Sequence, residues 1–355
     1  MKTQELVHTL TRLNRAAAKK SYSPIRERIV IRNGVAMATD LEVGLRIPCD
    51  LPNGVLDGKK VLKMLKTSAG DVLVDRTKDQ YHIRTEKLNF TIPDGFDAVD
   101  VPEVPAFGTG HVIVDAAPLR RALDIALIHA AKEPTKYALN GIHLEAKDNV
   151  LTVSGTNGKR LFQIRIPAAV SKSGMATLCR RAVEVLHHEL NNAEWVAIEF
   201  FETTVDERTE VSEIRFNLGN TTVFVSRVVE GSYPPIEEII PTTREGSFTV
   251  NRKSLLQALA EIDPVRTEDY PGVTYESDGY DMILTAGTAE DGTASTHIRG
   301  TLNTWEKICL NSDYIVDILN AVDTEDVTLH QTKDPDVSPP PICVESKEDL
   351  FLVMP

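Results

Sequence analysis

The chain has 355 residues, enough for two to three domains of roughly 100–200 residues, and its 42% hydrophobic and 26% charged composition is typical of a folded protein. Its net charge of −13 excludes a protein that grips DNA through a broad basic exterior, because the summed field repels phosphates. No apolar run reaches the roughly 18 residues of a membrane span, and the first residues lack a signal-peptide layout, so we expect a cytoplasmic protein without membrane contact.

Six segments carry apolar residues at helical spacing, and four of them begin beside a residue type that caps helices. The sequence predicts helices over residues 5–14, 57–66, 115–127, 178–190, 251–262 and 311–322. Successive helices begin 52 to 73 residues apart. This spacing indicates an internal repeat, which we weigh before any single motif.

Short runs of β-branched and aromatic residues between the helices predict antiparallel strands. After the first helix of each third, hairpins are predicted within residues 29–37, 142–153 and 273–284, with turns at Asn33-Gly34, Asp148-Asn149 and Asp278-Gly279. After the second helix a strand follows quickly, at residues 72–74, 195–200 and 327–329. The prediction is an α+β fold of three similar domains, each built from two helix-plus-antiparallel-strand units.

Two proline-bearing stretches separate these thirds, at residues 101–110 (VPEVPAFGTG) and 234–246 (PPIEEIIPTTREG). We therefore predict an N-terminal domain over residues 1–108, a central domain over 109–242 and a C-terminal domain over 243–355.

Basic residues concentrate on five of the six predicted helices, although the chain as a whole is acidic. The sixth helix breaks the pattern, with Asp313 and Asp317 and no base. Taken one at a time, the basic residues of each helix are typical of an ordinary solvent-exposed helix face. If all of them line one surface, that surface is basic and can surround a polyanion without gripping it. No base-reading motif is present, so we expect no sequence specificity.

Candidate catalytic groups all have a simpler interpretation. His187 and His188 precede Glu189 without a metal-binding spacing, so we interpret them as surface residues. The adjacent carboxylates Glu237 and Glu238 lie in the proline-bearing connector and have no nucleophile beside them. Residues 155–160 (GTNGKR) depart from the phosphate-loop order and join two strands. The four cysteines are far apart and fit reduced thiols. We predict no catalytic residue, no metal and no cofactor.

Several short segments, in order along nearly the whole chain, resemble the bacterial DNA polymerase III β subunit, the DNA sliding clamp family. They are residues 137–142 (YALNGI), 156–161 (TNGKRL), 226–241 (SRVVEGSYPPIEEIIP), 310–322 and 353–355 (VMP), with 23–25 (SPI) and 39–42 (TDLE) in the first third. Each segment alone is weak evidence for the family. Together the segments are strong evidence, because they occur in order on the six-unit repeat. Asn157 stands where the family usually has an acid.

The resemblance implies a head-to-tail homodimer whose six domains and twelve helices close a ring around duplex DNA. Such a ring is a processivity factor in DNA replication: it tethers the polymerase III catalytic subunit by topology and makes or breaks no bond itself. An ATP-dependent clamp loader opens it. Repair polymerases, ligase or mismatch-repair proteins are the other expected partners, each through a short peptide with a Gln and a Leu-Phe pair.

The family's peptide groove carries over residue by residue to Leu139, Thr156, Gly158, Arg160, Leu161, Pro241, Tyr270, Asn311, Tyr314, Val353, Met354 and Pro355. Taken alone, Leu139, Leu161 and Val353 are also typical of plain core. The resemblance implies DNA contacts at Lys20, Lys63, Arg121, Lys136 and Arg181, and a dimer-interface position at Phe90.

Two other classes stay open. One is a non-encircling scaffold of the same fold that only binds partner peptides, as in a divergent or virus-borne paralogue; it would be monomeric, or its helix bases would be dispensable. The other is an enzyme that uses Glu237 and Glu238, which would lose activity when these carboxylates are neutralised.

Overall fold

A computed structural model describes residues 1–94, 96–97, 100–131, 141–205, 208–219, 221–231, 233–333, 340–347 and 349–355. The α-helices within this part of the chain are α1 (Thr3–Ala16), α2 (Gly58–Leu65), α3 (Ala116–His129), α4 (Arg180–Glu189), α5 (Ile236–Ile239), α6 (Arg252–Ile262) and α7 (Ser312–Ala321). All six predicted helices are confirmed, each to within two residues at either end. The short helix α5 was not predicted and lies in the second proline-bearing connector.

The strands follow the helices in the order that the repeat predicts. In the first third they are β1 (Ile29–Arg32), β2 (Val35–Thr39), β3 (Val43–Pro48), β4 (Gly54–Leu56), β5 (Leu73–Thr77), β6 (Gln80–Arg84) and β7 (Asn89–Pro93). In the middle third they are β8 (Val112–Asp115), β9 (Gly141–Lys147), β10 (Val150–Thr156), β11 (Arg160–Pro167), β12 (Ala169–Val170), β13 (Gly174–Cys179), β14 (Trp195–Val205), β15 (Arg208–Leu218) and β16 (Thr222–Arg227). In the last third they are β17 (Thr243–Asn251), β18 (Gly272–Ser277), β19 (Met282–Thr288), β20 (Gly292–Ile298), β21 (Thr301–Asn303), β22 (Ile308–Asn311), β23 (Asp326–Lys333), β24 (Ile342–Ser346) and β25 (Asp349–Val353).

Helices α2, α6 and α7 begin where a short polar side chain accepts a hydrogen bond from a free backbone N–H group. The Asp57 carboxylate accepts from the Lys60 N–H at the start of α2, and the Asn251 side chain accepts from the Ser254 N–H at the start of α6. The apolar face of α1 repeats at helical spacing, so Leu6, Leu10 and Leu13 are all buried. Burial of such a stripe supplies most of the stability of a helix in a folded domain.

The chain divides into two compact units, which do not coincide with the predicted domain boundaries. The first unit comprises residues 1–121, 144–151 and 167–229, and the second comprises 122–143, 152–166 and 230–355. In the first unit a nine-stranded sheet has the order β12-β8-β14-β15-β16-β3-β2-β1-β4. Its β3 and β16 pair antiparallel, which joins strands on both sides of residue 108. The division into three domains stays a prediction.

Each unit also contains further sheets. The first unit also holds a three-stranded sheet, β5-β6-β7, and a core cluster around Val30, Val55 and Val104. In the second unit the strands β11-β25-β24-β23-β17-β21 are neighbours in one sheet, and β20-β19-β18-β22 form another. Helices and antiparallel strand pairs therefore build both units, and the predicted α+β class is confirmed. Among the described helices, none combines the length and apolar character needed to cross a membrane.

The predicted hairpin turns differ in how well they follow their sequence signals. Asn33-Gly34 and Asp148-Asn149 each place both residues at positive φ, as a two-residue hairpin turn requires. At the third turn only Gly279 has positive φ, and the loop runs from Asp278 to Asp281. There the Asp278 carboxylate accepts from the N–H groups of Tyr280 and Asp281, each at 2.8 Å. These bonds stabilise a longer loop than the Asp-Gly pair predicts.

Candidate functional site

The end of the chain pairs with the strand that follows the GTNGKR segment, and this pairing assembles most of the predicted groove inside the second unit. Strands β11 and β25 are antiparallel, with Arg160 opposite Val353 and Leu161 opposite Leu352. One residue further on, the Met354 N–H donates to the Lys159 carbonyl at 2.9 Å.

The turn between β10 and β11 is held by two side-chain oxygens. Thr156 Oγ1 donates to the Arg160 carbonyl at 2.7 Å and accepts from the Gly158 N–H at 3.0 Å. Asn157 Oδ1 accepts from the N–H groups of Lys159 and Arg160, both at 3.0 Å. The turn needs only an acceptor oxygen at position 157, so an asparagine serves where the family usually has an acid. Gly158 has a φ of +86°, which favours glycine.

Arg160 is the centre of the site. One guanidinium nitrogen donates to Asp317 Oδ2 at 2.6 Å, and the other donates to the Ile128 carbonyl at 2.7 Å. The guanidinium carbon lies 4.4 Å from the centroid of the Tyr314 ring, within cation–π distance. Only 7% of the Arg160 side chain is exposed. These contacts fix α7 against the start of β11.

The acidic helix that broke the basic pattern now has an explanation. On α7, Asp317 pairs with Arg160, and Asp313 accepts from Arg266 at 2.6 Å. The sequence signal was the pair of acids four residues apart on one helix, but their partners are distant in sequence. Asp317 and the Ile128 carbonyl were therefore not predicted as part of the site.

His129 lies behind Arg160 and is packed between two aromatic rings. Its ring centroid is 5.8 Å from that of Phe162 and 5.5 Å from that of Phe351, and Nδ1 is 2.9 Å from the Ile125 carbonyl. Burial, with the nearby positive charge of Arg160, lowers the pKa of His129 to about 4. The imidazole is neutral at pH 7, so it adds no second positive charge beneath Arg160.

An apolar cluster adjoins this polar centre. Leu161, Ile236, Cys343 and Leu352 are buried together, and partly exposed Tyr233, Ile240 and Leu350 pack against them. Pro241, beside Ile240, is buried, and its carbonyl accepts from Arg244. Apolar anchors beside a few fixed polar groups are the features with which a protein holds a short peptide.

The remaining predicted groove residues divide into exposed and buried ones. Tyr270, Gly158 and Pro355 are exposed, whereas Tyr314, Asn311 and Met354 are partly exposed. Val353 is fully buried, and Leu161 is 4% exposed, so in this structure both belong to the core beneath the site. Asn311 caps α7 by accepting from the Asp313 N–H at 2.9 Å. Leu139 lies outside the described residues.

The predicted DNA contacts have different surroundings. Lys20 and Lys63 are exposed, the latter on α2, and Arg121 is half-buried on α3 with partners of its own. Arg181 is engaged by the protein: it bonds Asp40 at 3.1 Å and donates to the Arg15 carbonyl, at the end of α1, at 2.6 Å. Lys136 lies outside the described residues.

The remaining predicted features are placed as follows. Phe90 is half-buried on β7, an outer strand of its sheet, opposite Ile83. Glu237 and Glu238 are exposed on the four-residue helix α5, as a connector predicts. Cys49 and Cys343 are buried, whereas Cys309 is exposed, and all four thiols are free. No cluster of potential metal ligands is found within the described ranges.

Comparison with known proteins gives concordant matches. A family model described as the DNA polymerase III β subunit central domain matches residues 114–235, and one for the C-terminal domain of the same subunit matches residues 237–349. The chain is 26% identical over 258 residues to a β sliding clamp of Synechocystis sp., which covers 70% of this chain and 66% of that protein. It is 24% identical over 304 residues to a β sliding clamp of Pseudomonas putida, and the match covers 82% of this chain and 80% of that protein. The fold is similar to the crystal structure of the Thermotoga maritima DNA polymerase III β subunit, with a TM-score of 0.87 and 22% identity over 100% of this chain and 98% of that one.

Proposed function

The chain belongs to the DNA polymerase III β subunit family, the DNA sliding clamps, and from this premise we propose that it encircles duplex DNA and tethers a replicative polymerase to it. The observation that carries the proposal is the match of two domain models of this subunit to adjoining segments, in the family's order. A role as a non-catalytic accessory subunit follows, with polymerisation performed by its partner.

We propose that the ring is a head-to-tail homodimer of chains with three domains each, over residues 1–108, 109–242 and 243–355. The outer position of β7 supports this, because an outer strand carries backbone groups available for a second chain. Phe90 on this strand is partly exposed, and an aromatic ring there suits packing against the third domain of the partner subunit.

We propose that polymerase, clamp loader and repair proteins bind the site around Arg160 through Gln/Leu-Phe peptides. The support is geometric: the Arg160 guanidinium lies against the half-buried Tyr314 ring and is held by Asp317, and the neighbouring Leu161 belongs to an apolar cluster with Leu352. The apolar members would pack against a Leu-Phe pair, and the polar members would orient the peptide backbone and glutamine.

The two other classes are less well supported. A non-encircling scaffold of the same fold would share the groove, but the family matches favour a clamp. An enzyme using Glu237 and Glu238 would need these carboxylates in a site, and both are exposed on α5.

Light scattering at low micromolar concentration and moderate salt tests the proposed dimer. We expect a mass of about 78 kDa, twice the chain mass of 39.2 kDa, because a closed ring needs two chains. Phe90→Ala should shift the mass toward the monomer on dilution, since it removes the aromatic contact. Tyr22→Ala, which truncates an exposed aromatic residue outside β7, is the matched control and should leave the mass unchanged. A wild-type monomer at all concentrations would contradict the ring.

A further inference from the structure

The long hairpin of β14 and β15 extends beyond the sheet to which it belongs. Strand β8 pairs with β14 only over residues 195–198, and β16 pairs with β15 only over residues 213–218. The two long strands continue to pair with each other at residues 202–205 and 208–211, which we call the ribbon. Pairing over four residues of each strand extends a hairpin by about 13 Å. Among the described residues, no third strand pairs with the ribbon on either side.

The ribbon leaves the sheet at a β-bulge. The register shifts between Phe201 and Glu202, and Ser212 on the facing strand is left without an opposite residue. A bulge bends its strand and increases the local twist, so the ribbon turns away from the parent sheet. On the outer side of β15, the Ser212 carbonyl still accepts from the Val228 N–H at 3.4 Å, and within the described chain no strand continues along residues 208–211.

Two sets of contacts hold the base of the ribbon in place. The Arg215 guanidinium carbon lies 3.9 Å from the centroid of the Phe201 ring, and Arg215 Nε donates to Glu213 at 2.5 Å. On the other strand, Lys172 Nζ donates to the Glu202 carboxylate at 2.8 Å. A hairpin of two strands alone is only marginally stable in water, so these contacts are what fix the direction of the ribbon.

The ribbon is polar and acidic. Thr203 and Glu210, which face each other in the ribbon, are both exposed. In the sequence, residues 202–211 include four acidic residues and one basic residue, with Asp206 and Glu207 between the two strands. Within the described part of the chain, Glu210 forms no ion pair. The ribbon therefore presents an open strand edge together with negative charge.

Charge on an open edge excludes some occupants and favours others. Acidic side chains on an edge strand keep copies of one protein from pairing with each other, because like charges would face one another. Nucleic acid is disfavoured for the same reason, since its phosphates have the sign of the ribbon. A strand that carries Lys or Arg is favoured, because opposite charges on neighbouring strands stabilise their pairing.

We propose that the outer edge of β15 at residues 208–211 binds a basic, extended segment of a partner protein, which pairs with it as an added strand. Backbone hydrogen bonds supply the affinity, and Glu210 selects a basic side chain beside it. The ribbon belongs to the first unit, whereas the groove residues around Arg160 belong to the second. This docking edge is therefore additional to the proposed peptide groove, and it does not rest on the proposed function.

The test measures how the full chain binds a labelled peptide of about ten residues that alternates Lys and Thr, by fluorescence anisotropy in about 150 mM NaCl. A shortened variant joins Glu202 to Val211 through Asn-Gly in place of residues 203–210. Glu202 and Val211 face each other, and Asn-Gly favours a two-residue hairpin turn, so the variant should keep the wild-type melting temperature. It should bind the peptide at least about tenfold more weakly, because the edge is gone.

Charge and strand pairing are tested separately. Glu210→Lys should weaken binding by about tenfold, because it places like charges together. The matched control is Glu194→Lys, which makes the same change at an exposed position just before β14 and should keep the wild-type affinity. A peptide that is N-methylated at alternate residues keeps its charge but lacks the N–H groups that pair with an edge. It should also bind about tenfold more weakly.

The remaining outcomes decide against the docking edge. Absence of peptide binding by wild type, or equal affinities for wild type and the shortened variant, would overturn the proposal. Equal affinities for the methylated and unmethylated peptides would show charge attraction without strand addition. A light-scattering mass that is lower for the shortened variant than for wild type would assign the edge to a second copy of the chain. None of these measurements involves DNA, so they stand apart from any failure of the proposed function.

Discussion

Arg160 keeps a positive charge in a buried position by means of three different contacts. A buried guanidinium is costly unless it is paired, and here Asp317 and the Ile128 carbonyl accept from its two terminal nitrogens while the Tyr314 ring lies against it. Neutral His129 beneath it avoids a second buried charge. The residue therefore acts as a rigid polar support for the proposed groove, and Tyr314 forms the partly exposed surface above it.

The resemblance predicted Arg160 and Tyr314 as members of one groove, but it did not predict their contact or what holds them. Arg160 and Asp317 are 157 residues apart in sequence, and nothing local to either residue encodes their contact. The acid at position 317 was noticed only as an exception to the basic helices. The hairpin oxygens of Thr156 and Asn157 were closer to being predictable, because Asn and Thr commonly stabilise turns through their side chains.

Tyr314→Ala should weaken binding of a Gln/Leu-Phe peptide by about tenfold, because it removes both an aromatic wall and the ring over Arg160. Fluorescence anisotropy with a labelled peptide measures the change. Tyr280→Ala provides the control, since Tyr280 is 88% exposed in the loop after β18 and should leave the affinity unchanged. Equal affinities for wild type and Tyr314→Ala would remove Tyr314 from the groove.

The helices have two kinds of basic residue, which the sequence does not distinguish. Arg181 on α4 bonds Asp40 and the carbonyl of Arg15 at the end of α1, so it joins two helices of the first unit. Lys63 on α2 is exposed and forms none of the ion pairs found among the described residues. Periodicity and capping predicted the helices because both signals are local. The partners of each base depend on tertiary packing, so the sequence alone could say only that the surface is basic if all the helices line it.

This distinction predicts different effects for two substitutions of one charge each. Arg181→Gln should lower the free energy of unfolding by about 1–3 kcal/mol, because it removes charge-assisted hydrogen bonds. Lys63→Gln should leave the melting temperature unchanged and lower the salt slope of duplex binding by about one. Denaturation and anisotropy on the same samples provide both values. Equal loss of stability in the two variants would show that Lys63 also has a structural role.

At the scale of the whole molecule, the chain combines strong net negative charge with basic helices. The long strands β14 and β15 carry exposed Glu202 and Glu210, whereas α2 carries exposed Lys60 and Lys63 and ends at exposed Lys66. Sorting of charge between strands and helices lets an acidic protein present a local basic surface to DNA. Composition alone could exclude a basic exterior, but it could not show which elements carry which charge.

The repeat predicted the number and order of the helices, whereas the domain boundaries were predicted from the two proline-bearing stretches. Sheet pairing between β3 and β16 crosses residue 108, so contacts group the first third with part of the second. A sequence repeat marks similar helix-plus-strand segments. No local sequence signal specifies which sheet edges of these segments pair with one another. The family matches at residues 114–235 and 237–349 are consistent with units arranged along the chain.

Encirclement of DNA is the central claim, and retention on circular compared with linear DNA tests it most directly. The full chain is loaded onto nicked circular DNA with the clamp loader of the same organism and ATP, and then filtered at high salt. We predict retention on the circle and release when the circle is cut once, because a topological link survives salt but not a free end. Equal retention before and after cutting, or none on the circle despite ATP-dependent loader activity, would contradict a clamp that encircles DNA.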